Sequence, residues 1–254
     1  PPNEVGTHTL LGSEGIDNDG DGEINEDPVG GYDMNRNWAW DWQPNYVQRG
    51  AMDYPFCLPE TRAVADFVMA HPNLATFQSY HNAMGTILRG PGRKDGEMQG
   101  ADDAVLRLIS ERGEKMLPFY DSRVIWKDLY TVWGGEIDWL YGARGLIGFT
   151  TELWTMRNLY RGTNPPSPED QAAFVKYVLL NDGAVAWHAF DHPTYGPIEI
   201  GGYKKNWGRV PTSFLLEEEC HRNMAFTLYH ASQMPRLRIR DVTQERLDEG
   251  LYKL

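Results

Sequence analysis

Leu129-Tyr130-Thr131-Val132-Trp133-Gly134-Gly135-Glu136-Ile137-Asp138-Trp139 leads from an aromatic stretch through a glycine pair into an apolar segment. Phe149-Thr150-Thr151-Glu152-Leu153 follows and completes an apolar run that begins at Leu146. The glycine pair is typical of a loop, residues 137–141 predict a short helix, and residues 146–153 predict a strand. A loop, a helix and a strand in close succession indicate an α/β domain.

The flanking sequence repeats this pattern in both directions. Residues 74–80 predict a second strand, which ends at His81. Apolar residues at helical spacing predict further helices over 59–71, 102–116, 168–190 and 216–232. We therefore expect an α/β fold with a mixed, mostly parallel central sheet flanked by helices. In such sheets ligands bind outside the carboxyl ends of the strands, so His81 and Glu152 are expected to share a site.

The composition excludes several classes of protein. The chain has 24 Lys and Arg against 36 Asp and Glu, a formal net charge of −12, which argues against nucleic acid as a partner. No apolar run approaches the ~20 residues of a membrane-spanning helix, so no membrane span is expected. Cys57 and Cys220 are too few for a disulfide framework, and one disulfide or two thiols both fit the sequence. The oligomeric state does not follow from the sequence.

Four segments, in order along the chain, resemble the zinc carboxypeptidase (carboxypeptidase A-like) family. Two are those quoted above, and the others are Asp33-Met34-Asn35-Arg36-Asn37-Trp38 and Ser79-Tyr80-His81. Gly-Gly-x-Ile-Asp-Trp followed by Phe-Thr-x-Glu-Leu is the most specific part of the resemblance, which covers roughly residues 30–190. The resemblance implies a zinc carboxypeptidase-like fold. It also implies a metallocarboxypeptidase that hydrolyses C-terminal residues from peptides with a free C-terminal carboxylate.

The resemblance also implies a zinc ligand, a catalytic base and a substrate clamp. His81 matches the family's third zinc ligand, and Glu152 matches the carboxylate that takes a proton from zinc-activated water. Arg36, with Asn35 beside it, matches the residue that binds the terminal carboxylate of the substrate, for which a planar guanidinium is well suited. The alternatives are a structural histidine, a solvent-facing glutamate, and an arginine stacked on a neighbouring tryptophan.

Two further positions are implied to shape the substrate pocket. Tyr130 matches the mobile tyrosine that closes over bound peptide, and Gly134-Gly135 suits a loop that must move. Ile137 falls where the family sets the character of the pocket, and an apolar side chain there favours apolar or aromatic C-terminal residues. The alternatives are a core tyrosine at position 130 and a specificity set by neighbouring loops instead of residue 137.

The zinc site is incomplete in this sequence. The family's first two zinc ligands come from a His-x-x-Glu motif before the Asn-Arg segment, and none of the seven histidines is followed by Glu three residues later. An arginine that usually stabilises the oxyanion is also missing before Arg36. We expect residues 1–235 to be the C-terminal portion of a catalytic domain, with the remaining zinc ligands upstream of residue 1. A zinc-free pseudoenzyme is the alternative.

An Asp- and Gly-rich segment within residues 1–34 predicts a second metal site. Alternate acidic residues, a glycine and a further carbonyl ligand resemble a calcium loop, with candidate ligands at Asp17, Asp19, Asp21, Glu23, Glu26 and Asp27. Position 12 of such a loop, normally Glu, is Pro28 here, so Glu26 or Asp27 would substitute for it. A solvated acidic turn is the alternative to calcium binding.

The sequence as a whole favours a metallocarboxypeptidase, with alternatives from other classes. A non-catalytic peptide- or calcium-binding pseudoenzyme would keep the fold without zinc, and a zinc amidohydrolase would act on cell-wall peptides or acylated amino acids. Residues 236–254, with Leu237, Ile239 and Val242 in alternation, are typical of the opening strands of a further β domain. Family habit and the calcium loop favour an extracellular or periplasmic location.

Overall fold

The computed structural model describes residues 7–8, 33–96, 98–155, 160, 166–193, 195–204, 207–238 and 240–253. The predicted calcium ligands, from Asp17 to Asp27, lie outside these described residues.

A four-stranded sheet occupies the centre of the described chain. Its strands are β1 (Thr76–Asn82), β2 (Thr86–Arg89), β3 (Asp121–Val124) and β4 (Ile147–Leu153). Their order in the sheet is β1-β4-β2-β3. β1 pairs parallel with β4, β2 pairs parallel with β3, and β2 pairs antiparallel with β4. Two of the three pairings are parallel, which confirms the predicted mixed, mostly parallel sheet.

Helices cover both faces of this sheet. The described helices are α1 (Pro59–Ala70), α2 (Gly100–Met116), α3 (Ile125–Asp128), α4 (Glu136–Arg144), α5 (Pro168–Tyr177) and α6 (Ser213–Ser232), and a 3-10 turn covers Met34–Arg36. α4 ends at Gly145, whose φ of +66° is the left-handed conformation that closes many helices. The chain then enters β4 directly, so α4 and β4 are fixed to one another by a tight turn.

Alternation along β4 divides the core into two clusters. Phe149 faces α2 and α6, where it packs with Leu106 and Phe226. Gly148, on the opposite face, lies directly across from Phe77 of β1, and a Cβ at Gly148 would stand 2.4 Å from the Phe77 ring. This second face is covered by α1, α4 and the aromatic segment after residue 36, whose buried members are Trp38, Ala65, Val68, Trp139, Leu140 and Leu146.

The region after α5 differs from the predicted helix over 168–190. α5 ends at Tyr177, and the strands β5 (Ala184–His192) and β6 (Gly196–Tyr203) form an antiparallel hairpin. Leu180 and Asn181 adopt left-handed φ values of +51° and +67°, which stop the helix. The prediction was wrong there because apolar residues kept helical spacing past a turn-forming Asn-Asp-Gly sequence.

The C-terminal tail forms a small separate sheet. β7 (Glu245–Asp248) pairs antiparallel with β8 (Leu251–Lys253), and all their residues are exposed. Whether they open a further domain stays a prediction. Cys57 and Cys220 are both free thiols. None of the helices in the described part of the chain is long and apolar enough to cross a bilayer.

Candidate active site

The parallel pairing of β1 and β4 brings His81 and Glu152 together. The two residues are register partners at the carboxyl ends of adjacent strands. His81 Nδ1 lies 3.8 Å from Glu152 Oε1, and the two side chains are 36% and 16% exposed. An imidazole and a carboxylate therefore share one opening at the sheet edge, as the sequence predicted.

A second layer of polar residues lies one step deeper on the same face. Ser79 precedes His81 by two positions and is the register partner of Thr150, and their hydroxyl oxygens are 2.8 Å apart. The Ser79 side chain lowers the pKa of the Glu136 carboxyl group, at the start of α4, against the rise that burial causes. Strand geometry places this layer about 7 Å from the first, because alternate residues share a face.

Glu136 connects this deeper layer to the predicted substrate clamp. Its backbone N–H donates to Asn35 Oδ1 at 2.8 Å. Because the amide oxygen of Asn35 is engaged in this way, the amide nitrogen is the donor that the side chain can offer to a substrate carboxylate. No role was predicted for Glu136, since an acidic residue in the first turn of a helix is common.

The segment that carries Asn35 and Arg36 is fixed from both sides. Trp38 N–H donates to the Gly134 carbonyl at 3.0 Å. Gly134 has φ +63°, and a Cβ there would stand 2.5 Å from the Arg36 carbonyl oxygen, so the close approach requires glycine. The glycine pair predicted to give mobility is therefore also a packing contact for the clamp segment.

Asn37 holds the other side of the clamp segment. Its side chain is fully buried, and Nδ2 donates to the carbonyl oxygens of Ala51 at 2.8 Å and Tyr54 at 2.9 Å. Its Oδ1 accepts from the Thr61 hydroxyl at 3.1 Å and the Leu58 N–H at 3.3 Å. One amide thus joins the residue after Arg36 to the loop before α1, a role that sequence reasoning missed.

Arg36 is largely buried and lies beside Tyr130. Its side chain is 13% exposed, and Nη1 donates to the Asn35 carbonyl at 2.8 Å and lies 3.7 Å from Asp33 Oδ2. The guanidinium carbon is 6.0 Å from the centre of the Tyr130 ring, so the stacking partner is this tyrosine and not Trp38 or Trp40. Tyr130 is 58% exposed, which excludes the core alternative. Its movement over substrate stays a prediction.

Ile137 points into the core. It is 6% exposed and packs with Leu88, Ile125 and Val132. Asp138, the next residue, accepts the Gly92 N–H with both carboxylate oxygens, at 3.1 and 3.0 Å. α4 is thereby anchored to the loop after β2, which fixes where Glu136 stands. The predicted influence of Ile137 on substrate preference stays a prediction.

Burial acts on the carboxylates of this region. Desolvation raises the pKa of Glu152, and the nearby charges of His81 and Arg209 oppose the rise. Desolvation likewise raises the pKa of Glu136, against the Ser79 hydrogen bond and the His81 charge. Arg209 was not predicted as a site residue; its Nη1 lies 3.5 Å from Asn82 Oδ1, next to His81 in the chain.

The backbone beyond Glu152 is held by a buried network. Trp154 N–H donates to the Tyr120 hydroxyl at 2.6 Å and to Glu219 Oε1 at 3.2 Å. The Tyr120 hydroxyl also donates a hydrogen bond to Glu219 Oε1. Burial raises the pKa of Tyr120, and the contact with Glu219 raises it further. Trp154 has φ +68°, so the network holds an unfavourable backbone conformation two residues after Glu152.

The residues of the candidate site fit one ligand position of a zinc ion. The His81 imidazole at an accessible strand end is a suitable zinc donor, and Glu152 is suitably placed as a neighbouring base. Within the residues described above, no group of three His, Cys, Asp or Glu side chains could hold a metal.

A surface hollow of about 630 Å³ lies away from these strands on α6, and is lined by Phe214, Glu217, Glu218, Cys220, His221 and Met224.

Comparisons with known proteins identify the family of this chain. The zinc carboxypeptidase family model matches residues 11–173. The bovine thrombin-activatable fibrinolysis inhibitor, solved with a tick carboxypeptidase inhibitor, is 17% identical with a TM-score of 0.50, over 83% of this chain and 59% of that one. Carboxypeptidase A from Helicoverpa armigera is 24% identical with a TM-score of 0.43, over 48% of this chain and 32% of that one. The chain therefore spans less than two thirds of either structure. No curated protein sequence matches it significantly.

Proposed function

This chain belongs to the zinc carboxypeptidase family, and we propose that it is part of a metallocarboxypeptidase that removes C-terminal residues from peptides. The observation that carries the proposal is the pairing of His81 with Glu152 across parallel strands, 3.8 Å apart at the sheet edge. The clamp candidates Asn35 and Arg36 lie next to this region, because Asn35 Oδ1 accepts a hydrogen bond from the Glu136 N–H.

His81 would be one ligand of the zinc ion. Zinc, when bound, supplies the Lewis acidity that makes water a competent nucleophile at neutral pH. The remaining ligands are proposed to come from outside these 254 residues. Two facts support this: none of the seven histidines is followed by Glu three residues later, and the chain covers only 59% of the length of the bovine structure described above.

Glu152 would be the general base. A carboxylate at this position can accept a proton from the attacking water on one of its oxygens and pass it to the leaving amine. Partial burial supports the role, because it raises the pKa of Glu152 towards the range in which a base both accepts and releases a proton.

Arg36 and Asn35 would bind the terminal carboxylate of the peptide. Contacts with Asp33 and the Asn35 carbonyl hold the planar guanidinium of Arg36 in a fixed orientation. This lowers the entropy cost of binding an anion. Tyr130 lies over the guanidinium and is exposed, so it would cover the bound peptide at the clamp. An extracellular or periplasmic location belongs to the same proposal.

The proposal is tested on the natural protein that carries this chain, with its metal content measured. Glu152→Gln should lower kcat by about 10²–10⁴-fold, because it removes the proton acceptor, while zinc content stays near one per molecule. His81→Ala should lower the zinc content itself. Glu60→Gln, an exposed glutamate in the first turn of α1, is the matched control and should change neither.

Peptides with free and amidated C-termini separate this function from its alternatives. The clamp predicts that amidation abolishes turnover, whereas an amidohydrolase acting on other substrates would tolerate it. Intact turnover in Glu152→Gln would refute the mechanism. A protein that binds no zinc even at full length would instead be the non-catalytic binder.

A further inference from the structure

Helix α6 presents a row of polar side chains to the central sheet, where apolar residues would be expected. Glu219, Asn223 and Thr227 recur every four residues, so they lie along one side of the helix. Glu219 and Asn223 are buried. Burying a carboxylate and an amide is costly, and apolar side chains of similar size often give an equally stable fold. Stability alone therefore does not account for this row.

The first member of the row, Glu219, holds the chain just beyond Glu152. Its Oε1 accepts hydrogen bonds from the Tyr120 hydroxyl, from the Trp154 N–H at 3.2 Å and from Asn223 Nδ2 at 3.2 Å. The Tyr120 hydroxyl accepts from the same Trp154 N–H at 2.6 Å. Trp154 has a left-handed φ of +68°, which is unfavourable for a residue with a side chain. The two acceptors of its N–H therefore stabilise a turn that the backbone alone disfavours.

The last member of the row, Thr227, contacts the strand that carries His81. The Thr227 hydroxyl donates to the Asn223 carbonyl at 3.0 Å and also hydrogen-bonds the Tyr80 hydroxyl. Tyr80 and His81 are consecutive in β1, directly across from the end of β4 that carries Glu152. The polar row thus contacts the sheet next to both residues of the candidate site.

We propose that Glu219 is a positioning residue, which holds Glu152 in place against His81 from the opposite face of the sheet. The inference rests on the proposed function, since it takes Glu152 as the general base. Alternation along β4 directs Glu152 away from the face that Phe149 presents to α6, so Glu219 acts through the backbone of β4 and not by contact with substrate. The pairing of β4 with both neighbouring strands keeps any displacement small, but a misplacement of about 1 Å can lower a rate by about a hundredfold.

Three variants of the natural zinc-containing protein test this assignment. Glu219→Leu removes an acceptor of the Trp154 N–H, and should lower kcat by about tenfold to a hundredfold, with KM changed by less than about twofold and the zinc content unchanged. Glu219→Gln keeps an acceptor oxygen, and its kcat should stay within about threefold of the natural value. Phe226→Leu is the matched control, because it removes core packing from the same helix and leaves the polar row intact. It should lower stability in urea and leave kcat unchanged.

Two kinetic results would overturn the inference while leaving the proposed function standing. One is an unchanged kcat in folded Glu219→Leu. The other is an equal loss of kcat in Phe226→Leu, which would make Glu219 a stabilising residue only. If Glu219→Leu does not fold, Tyr120→Phe takes its place, because it removes the other acceptor of the Trp154 N–H. Its kcat should fall about threefold to tenfold, and an unchanged kcat would again overturn the inference.

Crystal structures decide the inference even without turnover. If the natural protein cleaves no peptide, the proposed function fails, and the positions of His81 and Glu152 are compared between the natural protein and the variants. Glu219→Leu, or Tyr120→Phe in its place, should displace the Glu152 carboxyl group by about 1 Å relative to His81, and Glu219→Gln should not. A displacement below about 0.5 Å, the tolerance of a productive site, would overturn the inference.

Discussion

Replacing Asp138 by Asn should change how the stability of the chain depends on pH. The Asp138 side chain is almost fully buried and accepts the Gly92 N–H with both oxygens. Desolvation by burial raises its pKa from 3.8 to about 6, and the Gly92 hydrogen bonds and the Arg93 charge offset only part of that rise. The folded protein therefore keeps a proton that the unfolded chain releases.

The sign of the effect follows from proton linkage. Between pH 4 and pH 6 the folded state binds more protons at Asp138 than the unfolded state, so this residue's contribution to stability is fully present below about pH 4 and falls as pH rises through about 6. A difference of 6 − 3.8 = 2.2 pKa units corresponds to about 3 kcal/mol.

Asp138→Asn removes the ionisable carboxyl group and keeps an amide oxygen that can accept a hydrogen bond from the Gly92 N–H. We expect the free energy of unfolding of the variant, relative to the original chain, to rise by about 2–3 kcal/mol between pH 4 and pH 7.5. Urea titrations at four pH values, followed by tryptophan fluorescence, would measure it. Asp53→Asn, at an exposed position, is the control for removal of a charge. A stability difference that does not change with pH would refute the reasoning.

Two further substitutions test the packing of the clamp segment. Asn37→Asp should cost about 2–4 kcal/mol in urea unfolding, because two backbone carbonyl groups lose their amide donor and face a carboxylate. Asn45→Asp should cost little, since Asn45 only accepts a hydrogen bond there, and equal costs for the two would contradict the assignment. Gly134→Ala should lower stability by about 2 kcal/mol or more, because its Cβ would meet the Arg36 carbonyl oxygen and its φ is positive. Gly100→Ala, in open space at the start of α2, should be neutral or stabilising by up to about 1 kcal/mol, and a cost there as large as at Gly134 would refute the steric argument.

The elements that lie beneath the candidate site were predictable because their local signals were strong. The helices around 59–70 and 102–116 have clear apolar spacing. β1 and β4 are rich in aromatic and β-branched residues, and each carries a candidate site residue, His81 or Glu152, next to its last position. The strands β2 and β3 were missed, since each has only four residues and three of the four residues of β3 are polar. Their structure depends on neighbours in the sheet, which local patterns do not record.

Some residues of the candidate site were predicted from the family-like segments, and others in the same segments were missed. His81 and Glu152 could be brought together from topology alone, because parallel strand ends meet at one sheet edge. Glu136 and Asn37 act through partners 57 and 24 residues away, counted to Ser79 (136 − 79) and Thr61 (61 − 37). Neither residue has a local pattern that separates it from an ordinary helix-start acid or a turn asparagine.

The contact of Phe77 with Gly148 makes the candidate site sensitive to strand alignment. A shift of β1 by one residue would turn the His81 side chain to the opposite face of the sheet, away from Glu152. Such a misaligned chain could keep most of its backbone hydrogen bonds and still lack any active centre. The Phe77 ring fits across β4 where glycine leaves the room, and in a neighbouring alignment it would face a larger side chain. Gly148 thus favours the one strand alignment in which His81 and Glu152 are register partners.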